Sequence, residues 1–324
     1  MTERTVLVLS GGGALGAYQC GVYRAMVRHM DSDALRTMVI VGASIGAVNG
    51  FLIASRMQDP DSGVSALKHF WRNVSLPSAP FLPMPDPRSR RLNAVLTGMA
   101  FGNPVILPGI PGGLIGGLYS YPHAASYTNT PLVRMVGDFA REYGGNDASG
   151  PRLMIRAIDI AEAAPVWFDS AQETIVPSMI GASSAIPLLF KPAWHDGRAY
   201  WDGDIWHQGI ATPGLGRITQ GQEGETERYH VVTVELFKRT TQQKLAIGAG
   251  SYLDHFRRMF MGARSDEDID NIVGLQKGLR VTRIQRNPHP HEEDSAYLLD
   301  WSPERIEYLL AQGEADAEQA FSST

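Results

Sequence analysis

Ser44 lies in the run Gly42-Ala43-Ser44-Ile45-Gly46, directly after a β-branched stretch and before an apolar one. A G-x-S-x-G run between strand and helix is the pattern of a nucleophile elbow, in which flanking glycines leave room for a strained turn that lifts a serine hydroxyl above a sheet. A second turn, Gly11-Gly12-Gly13-Ala14-Leu15-Gly16, also follows an apolar stretch and opens a helical one. Its row of backbone N–H groups at a helix start suits an anion or a developing oxyanion. Two such turns on adjacent parallel strands open at the same sheet edge, so a serine hydroxyl would face a cluster of amides, the two halves of an acyl-transfer site. Each motif has a plainer meaning as well: Ser44 as a helix cap, the glycine turn as a tight connection without ligand.

The glycine turn also satisfies G-x-G-x-x-G, the spacing of a dinucleotide site, which requires an acid at the end of the following strand. That strand, expected over residues 37–41, carries none and runs into Gly42, while Asp31 and Asp33 precede it. A nucleotide-binding oxidoreductase is therefore the lesser alternative. An acyl-transfer serine needs a base. None of the nine histidines ends a clear strand; His207 falls shortly after Asp202, and His289 and His291 share a late proline-bearing stretch. Asp202 follows Ala199-Tyr200-Trp201 and precedes Gly203, but Asp196-Gly197 is a second copy of the same dipeptide. Asp-Gly is a common turn signal, so the residues alone leave both aspartates and the late histidines open.

The elements that must position these groups can be read from hydrophobic periodicity. Residues 5–9 and 37–41 read as short buried strands, each followed by a glycine turn and a helical pattern, to about residue 30 and through 48–56. Two such units in succession predict an α/β fold with a parallel sheet. A helix is expected over 63–74. Residues 75–127 are rich in proline and glycine yet contain Phe101, Ile106, Leu107 and Ile110. A structureless loop of that length is rare in a compact domain, so short helices are expected there, as an irregular excursion or as a cap over an acyl chain. Beyond it the pattern predicts a helix over 131–142, a strand over 152–160 with a hairpin partner at 165–169, a helix over 174–186 and a strand over 230–236. The last third predicts a helix over 245–261, an edge strand over 279–284 and a helix over 302–312, opened by Ser302-Pro303. The acidic tail from Gly313 is expected to fray.

The formal charge of −5 and the absence of a basic face argue against nucleic acid as a partner. With a single cysteine, Cys20, no internal disulfide can form. No signal-peptide pattern and no apolar run of spanning length are evident, giving a cytoplasmic expectation with contact at the inner membrane surface left open.

Taken together, the glycine turn, the elbow, Ala182-Ser183-Ser184-Ala185-Ile186-Pro187 and Tyr200-Trp201-Asp202-Gly203 resemble the patatin-like phospholipase family. Residues 13–19, 126–132 and the C-terminal extension resemble a bacterial subgroup of it. The resemblance implies a three-layer α/β fold with a mostly parallel central sheet flanked by helices. It also implies a Ser–Asp dyad hydrolysing lipid carboxylic esters without cofactor, metal or catalytic histidine. Ser44 becomes the nucleophile, Asp202 the base and Asp196 a turn residue. Gly11, Gly12, Gly13 and Ala14 become the oxyanion hole, with Ile45, Trp201, Asp204 and His207 as candidate pocket residues. The expected organisation is an acyl-hydrolase domain over 1–240, with a lid-like insertion near 75–127, and a helical extension over 241–324. A lipid or small ester is the implied substrate, with peripheral membrane contact and no nucleic acid. Three departures stand out: Asp204 where the family usually has Gly or Ala, no Asn-Pro after it, and Leu15 where a basic residue is common. A second carboxylate beside Asp202 would raise the proton affinity of one of the pair. These departures also admit a catalytically silent lipid-binding or regulatory relative.

Overall fold

The computed structural model describes residues 3–55, 60–79, 83, 86–111, 125–143, 150–220, 228–237, 264, 266–272, 279–287 and 298–323. The apolar run near the N-terminus forms β1 (Glu3–Leu9), which passes through the glycine turn and a 3-10 turn (Gly13–Gly16) into α1 (Ala17–His29). After α2 (Ser32–Arg36), β2 (Val39–Gly42) runs through the Ser44 turn into α3 (Ile45–Ala54), followed by α4 (Pro60–Asn73). β1 and β2 pair in parallel with Leu9 opposite Gly42, so both turns leave the sheet side by side.

The 75–127 stretch contains α5 (Pro87–Phe101) and a two-stranded hairpin, β3 (Gly102–Asn103) with β4 (Leu107–Pro108). Its residues 112–124 lie outside the described residues. Next come α6 (Thr130–Tyr143), β5 (Arg152–Asp159), β6 (Ala164–Asp169) and α7 (Pro177–Ser183). α7 is shorter than the expected 174–186, since Pro177 opens it and the chain turns away before Pro187. A hairpin of β7 (Ala193–His195) and β8 (Arg198–Asp202) leads to α8 (Ala211–Thr219) and β9 (Arg228–Glu235). The remaining described elements are β10 (Leu279–Gln285) and α9 (Pro303–Ser322). The helix expected over 245–261, and with it His255, lies outside the described residues, as do His123, His289 and His291.

One eight-stranded sheet organises the molecule, in the order β10-β9-β1-β2-β5-β8-β7, with β6 hydrogen-bonded to β5. From β10 to β5 the pairings are parallel, whereas β6, β8 and β7 run antiparallel to their partners. Residues beyond 240 therefore supply an edge strand to the central sheet. The near-continuous apolar strands are explained by burial on both faces. Leu7, Leu9 and Ile40 point into one core with α1, α3 and α4, while Val6, Val8, Val39 and Val41 point into the other with Ile210, Leu215 and Ile218 around α8. Helix, sheet and helix make the three layers expected. None of the described helices is long and apolar enough to cross a membrane.

The acidic tail does not fray. α9 runs on to Ser322 and lies along α1. Gly21 and Gly313 let the two backbones meet, because a Cβ at either would overlap a carbonyl oxygen of the opposite helix. Tyr18 donates to Asp316 at 2.8 Å, and Glu314 pairs with Arg24 at 3.0 Å and Arg28 at 2.6 Å. The tail's acids have their partners on α1.

Candidate active site

Ser44 adopts φ 55° and ψ −129°, a conformation rare for a residue with a side chain. The surrounding sequence makes that turn feasible. A Cβ on Gly46 would overlap the Leu9 carbonyl oxygen of β1, and one on Gly42 would come within 2.8 Å of the Gly46 oxygen. The elbow is clamped from the other side by Ser183, whose carbonyl and hydroxyl both accept from the Ser44 N–H, at 3.1 and 3.0 Å. Ser183 in turn donates to the Arg156 carbonyl at 2.7 Å, and the neighbouring Ala185 carbonyl accepts from the Asp202 N–H at 2.9 Å. The Ala182–Pro187 block is thus the bracket that brings Ser44 and Asp202, far apart in sequence, to one place.

Asp202 ends β8 and is almost wholly inaccessible, at 1% exposed, against 8% for Ser44. Its Oδ1 accepts from the Asp204 N–H at 2.7 Å, while Oδ2 is buried without a full hydrogen bond. Burial pushes the Asp202 carboxyl up to about 7. The nearby Ser44 hydroxyl pulls it down, and the charge of Asp204 pushes it up again. Asp196 has no part in this. It forms the β7–β8 turn with Gly197, at φ 46° and 73°, and its carboxylate points into solvent.

Around the two residues lies a cavity of about 410 Å³. Its polar floor is Ser44, Asp202, Asp204 and the turn Gly11–Gly13. Leu107 and Tyr127 from the insertion, Ile186, Leu189 and Phe190 after α7, and Phe237, Leu298, Leu299 and Trp301 from the C-terminal part form its apolar walls. Gly12, Gly13 and Ala14 follow one another through the turn, with Gly13 at φ 55°. The N–H of Gly11 is already engaged, donating to Asp204 Oδ2 at 2.8 Å.

Three of the expected pocket residues stand elsewhere. Trp201 is opposite in side-chain direction to Asp202, because successive residues of a strand alternate faces, and it does not line the cavity. His207 is exposed and packs on the Trp206 ring, 4.9 Å between centroids. Ile45 is buried against Gly16. No described histidine lines the cavity. His195 hydrogen-bonds Ser178 at 2.8 Å, and His230 is held in the sheet by Thr282 and Arg280, burial lowering it to about 4.

With this geometry in hand, the model of the patatin-like phospholipase family matches residues 7–205, more than half of the chain. The chain belongs to the patatin-like phospholipase family. Membership sets aside the dinucleotide-binding alternative. A search of curated protein sequences returned no match. Among solved structures the chain is similar to VipD from Legionella pneumophila, at 13% identity and a TM-score of 0.40, covering 99% of this chain and 67% of that one. It is similar also to the type III effector ExoU of Pseudomonas aeruginosa, at 13% identity and a TM-score of 0.39. There 99% of this chain is covered, but only 53% of the ExoU chain, so the protein spans about half of ExoU's length.

Against the family pattern, the Asp202 loop is braced by two arginines instead of an Asn-Pro pair. Arg156, 1% exposed in the middle of β5, donates to the carbonyls of Gly203 at 2.8 Å, Gly209 at 2.7 Å and Gln208 at 3.1 Å. Burial lowers it to about 10, so it keeps its charge near neutrality. Arg264 donates to the carbonyls of Asp204 and Trp206 and reaches Asp204 Oδ1 at 3.0 Å. Neither stands out in the sequence motifs. Arg156 has a signal, a lone charge inside an apolar strand, whereas Arg264 has none.

Proposed function

We propose that the protein hydrolyses lipid carboxylic esters by transferring the acyl group to Ser44 and then to water. The observation that carries this reading is the meeting of a strained, cavity-facing Ser44 with a buried Asp202 beneath the glycine turn. Asp202 takes the hydroxyl proton as Ser44 Oγ attacks the ester carbonyl carbon. The oxyanion is held by the N–H groups of Gly12, Gly13 and Ala14, each such donor being worth about 3 kcal/mol in comparable sites. Collapse expels the alcohol, which leaves with the proton from Asp202. Water, deprotonated by the same carboxylate, then attacks the acyl-enzyme and frees the acid and Ser44. The apolar walls suit the acyl chain.

The test combines p-nitrophenyl esters of increasing chain length with an alkyl fluorophosphonate. Turnover should improve with chain length, and the phosphonate should form one adduct, mapped to Ser44. An adduct elsewhere would overturn the assignment. Absence of turnover on these esters and on phospholipid micelles would favour the silent relative.

The cavity mouth suits substrate presented at a lipid surface. Phe101 and Leu188 are each 53% exposed and adjoin in sequence the lining residues Gly102 and Leu189; Ile205, exposed as well, lines the cavity itself. Leu188 holds φ 69°, a strained backbone conformation for a leucine. Replacing Phe101 and Leu188 by Ser together is expected to lower hydrolysis of vesicle phospholipid about 30-fold, each side chain being worth roughly 1 kcal/mol at an apolar surface. Hydrolysis of a soluble short-chain ester should stay the same. Equal loss on both substrates would refute a role at the lipid surface.

A further inference from the structure

We infer that Asp204 and Arg264 are positioning residues that lock the glycine turn and the base into one unit, so that turnover depends on chain beyond the family match. The inference rests on the Ser44–Asp202 reading above. Asp204 touches both halves of the site at once. Its N–H donates to Asp202 Oδ1 at 2.7 Å, and its Oδ2 accepts from the Gly11 N–H at 2.8 Å. Gly11 is thereby a strut for the turn, and its N–H is unavailable to an oxyanion.

A glycine or alanine at position 204 could make the first contact but not the second, and it would not call for a cation. Asp204 is 4% exposed, and a buried carboxylate calls for a partner of opposite charge. The pairing comes from Arg264 Nη2 at 3.0 Å, with Arg156 Nη2 further off at 3.9 Å. Arg264 also holds the carbonyls of Asp204 and Trp206, which fixes the backbone that carries the carboxylate. Arg264 lies outside residues 7–205. Close to it in sequence, Asp268 accepts from the N–H groups of Ala211 at 2.7 Å and Thr212 at 2.9 Å, anchoring this segment to the start of α8. The C-terminal part thus reaches the base and the glycine turn through the Asp204–Arg264 ion pair as well as through the cavity wall.

The experiment compares the full chain with Asp204→Asn, Arg264→Met and Arg264→Lys. It reads kcat and KM on a long-chain p-nitrophenyl ester across pH, the rate of phosphonate labelling at Ser44, and thermal unfolding. Asp204→Asn and Arg264→Met should each lower plateau kcat about 100-fold, the effect of misplacing oxyanion donors, with KM changed by less than about threefold. The charged groups facing Asp202 are Asp204, Arg264 and Arg156. Removing the anion should therefore move the acid limb of the pH profile to lower pH, and removing the cation should move it to higher pH. Arg264→Lys, which keeps the charge and loses the fork, should restore the limb but only part of kcat. Folded variants with normal kcat would overturn the inference, as would loss of activity with an unmoved limb, the mark of a merely structural role. If wild type is not labelled at Ser44, the Ser44–Asp202 reading itself fails, whatever the variants do.

Discussion

Asp202→Asn is expected to cut ester hydrolysis about 10⁴-fold or more, as loss of a base does in coupled catalytic groups, and at the same time to make the folded protein more stable above pH 7. Both effects follow from one burial. An aspartate in water titrates near 3.9, whereas Asp202 is pushed to about 7, chiefly by loss of solvent. The native state therefore holds this proton more tightly than the unfolded chain. Its stabilising contribution is fully present below about pH 4 and is lost as pH rises through 7. On the proposed mechanism wild-type activity needs the ionised form, so it should rise over the same interval and reach half its plateau near pH 7. On that mechanism the proposed base would work where it is costly to hold. An asparagine has no charge to desolvate, so in urea unfolding at pH 8 the variant should gain on the order of 2–4 kcal/mol over wild type, from about 1.4 kcal/mol per pH unit of displacement. Near pH 4 the two should converge. Ser44→Ala should match the activity loss without the pH-dependent gain, since the carboxylate remains. A less stable Asp202→Asn at pH 8 would mean that the ionised form is favoured by its surroundings, contrary to this account.

The strands and both turns are legible in the sequence because their signals are local. A β-branched run ended by glycines has few alternatives, and β1, β2, β5 and β9 fall where the periodicity puts them. The site is legible as a set of motifs and not as a geometry. Which Asp-Gly pair is brought to Ser44 is decided by pairing that no window shows: Asp202 lies opposite Ala157 on β5, while Asp196 turns a hairpin. Trp201 and His207 are near the base in sequence, and strand alternation and solvent place them away from it in space. The tail from Gly313 reads as fraying because small and acidic residues have no driving force alone. The corresponding signal lies almost the whole chain away, in Arg24 and Arg28, one helical turn apart on α1 and matched to Glu314. The cavity walls beyond residue 205 have no motif at all. Phe237, Leu298 and Trp301 are ordinary core residues until the fold turns them toward Ser44.

The two Asp-Gly copies also yield the second large prediction, because their glycines do different work. Gly203 is not among the residues at positive φ, so backbone freedom is not what it supplies. A Cβ there would overlap the Arg156 carbonyl oxygen of β5 and stand 3.1 Å from the Ala157 nitrogen, and none of these is a flexible side chain that could move aside. The same carbonyl accepts the Ser183 hydroxyl that clamps the elbow, and the Gly203 carbonyl accepts from Arg156 Nε. Gly203→Ala must therefore push the segment carrying Asp202 and Asp204 away from β5 and pull on the Ser44 bracket too. The expected result is loss of about 3 kcal/mol or more of stability, the range of severe overpacking against a fixed neighbour, with ester hydrolysis and phosphonate labelling of Ser44 both abolished. Gly197 provides the contrast. It sits at φ 73° with nothing within 4 Å of where a Cβ would stand, so Gly197→Ala meets only conformational strain of about 1 kcal/mol. That variant should hydrolyse esters at the wild-type rate with a slightly lower melting temperature. Comparable loss in both variants would show that Gly203 acts as an ordinary turn glycine; retention in both would mean that the segment can leave β5 without disturbing Ser44, and that the close approach is not what holds the site together.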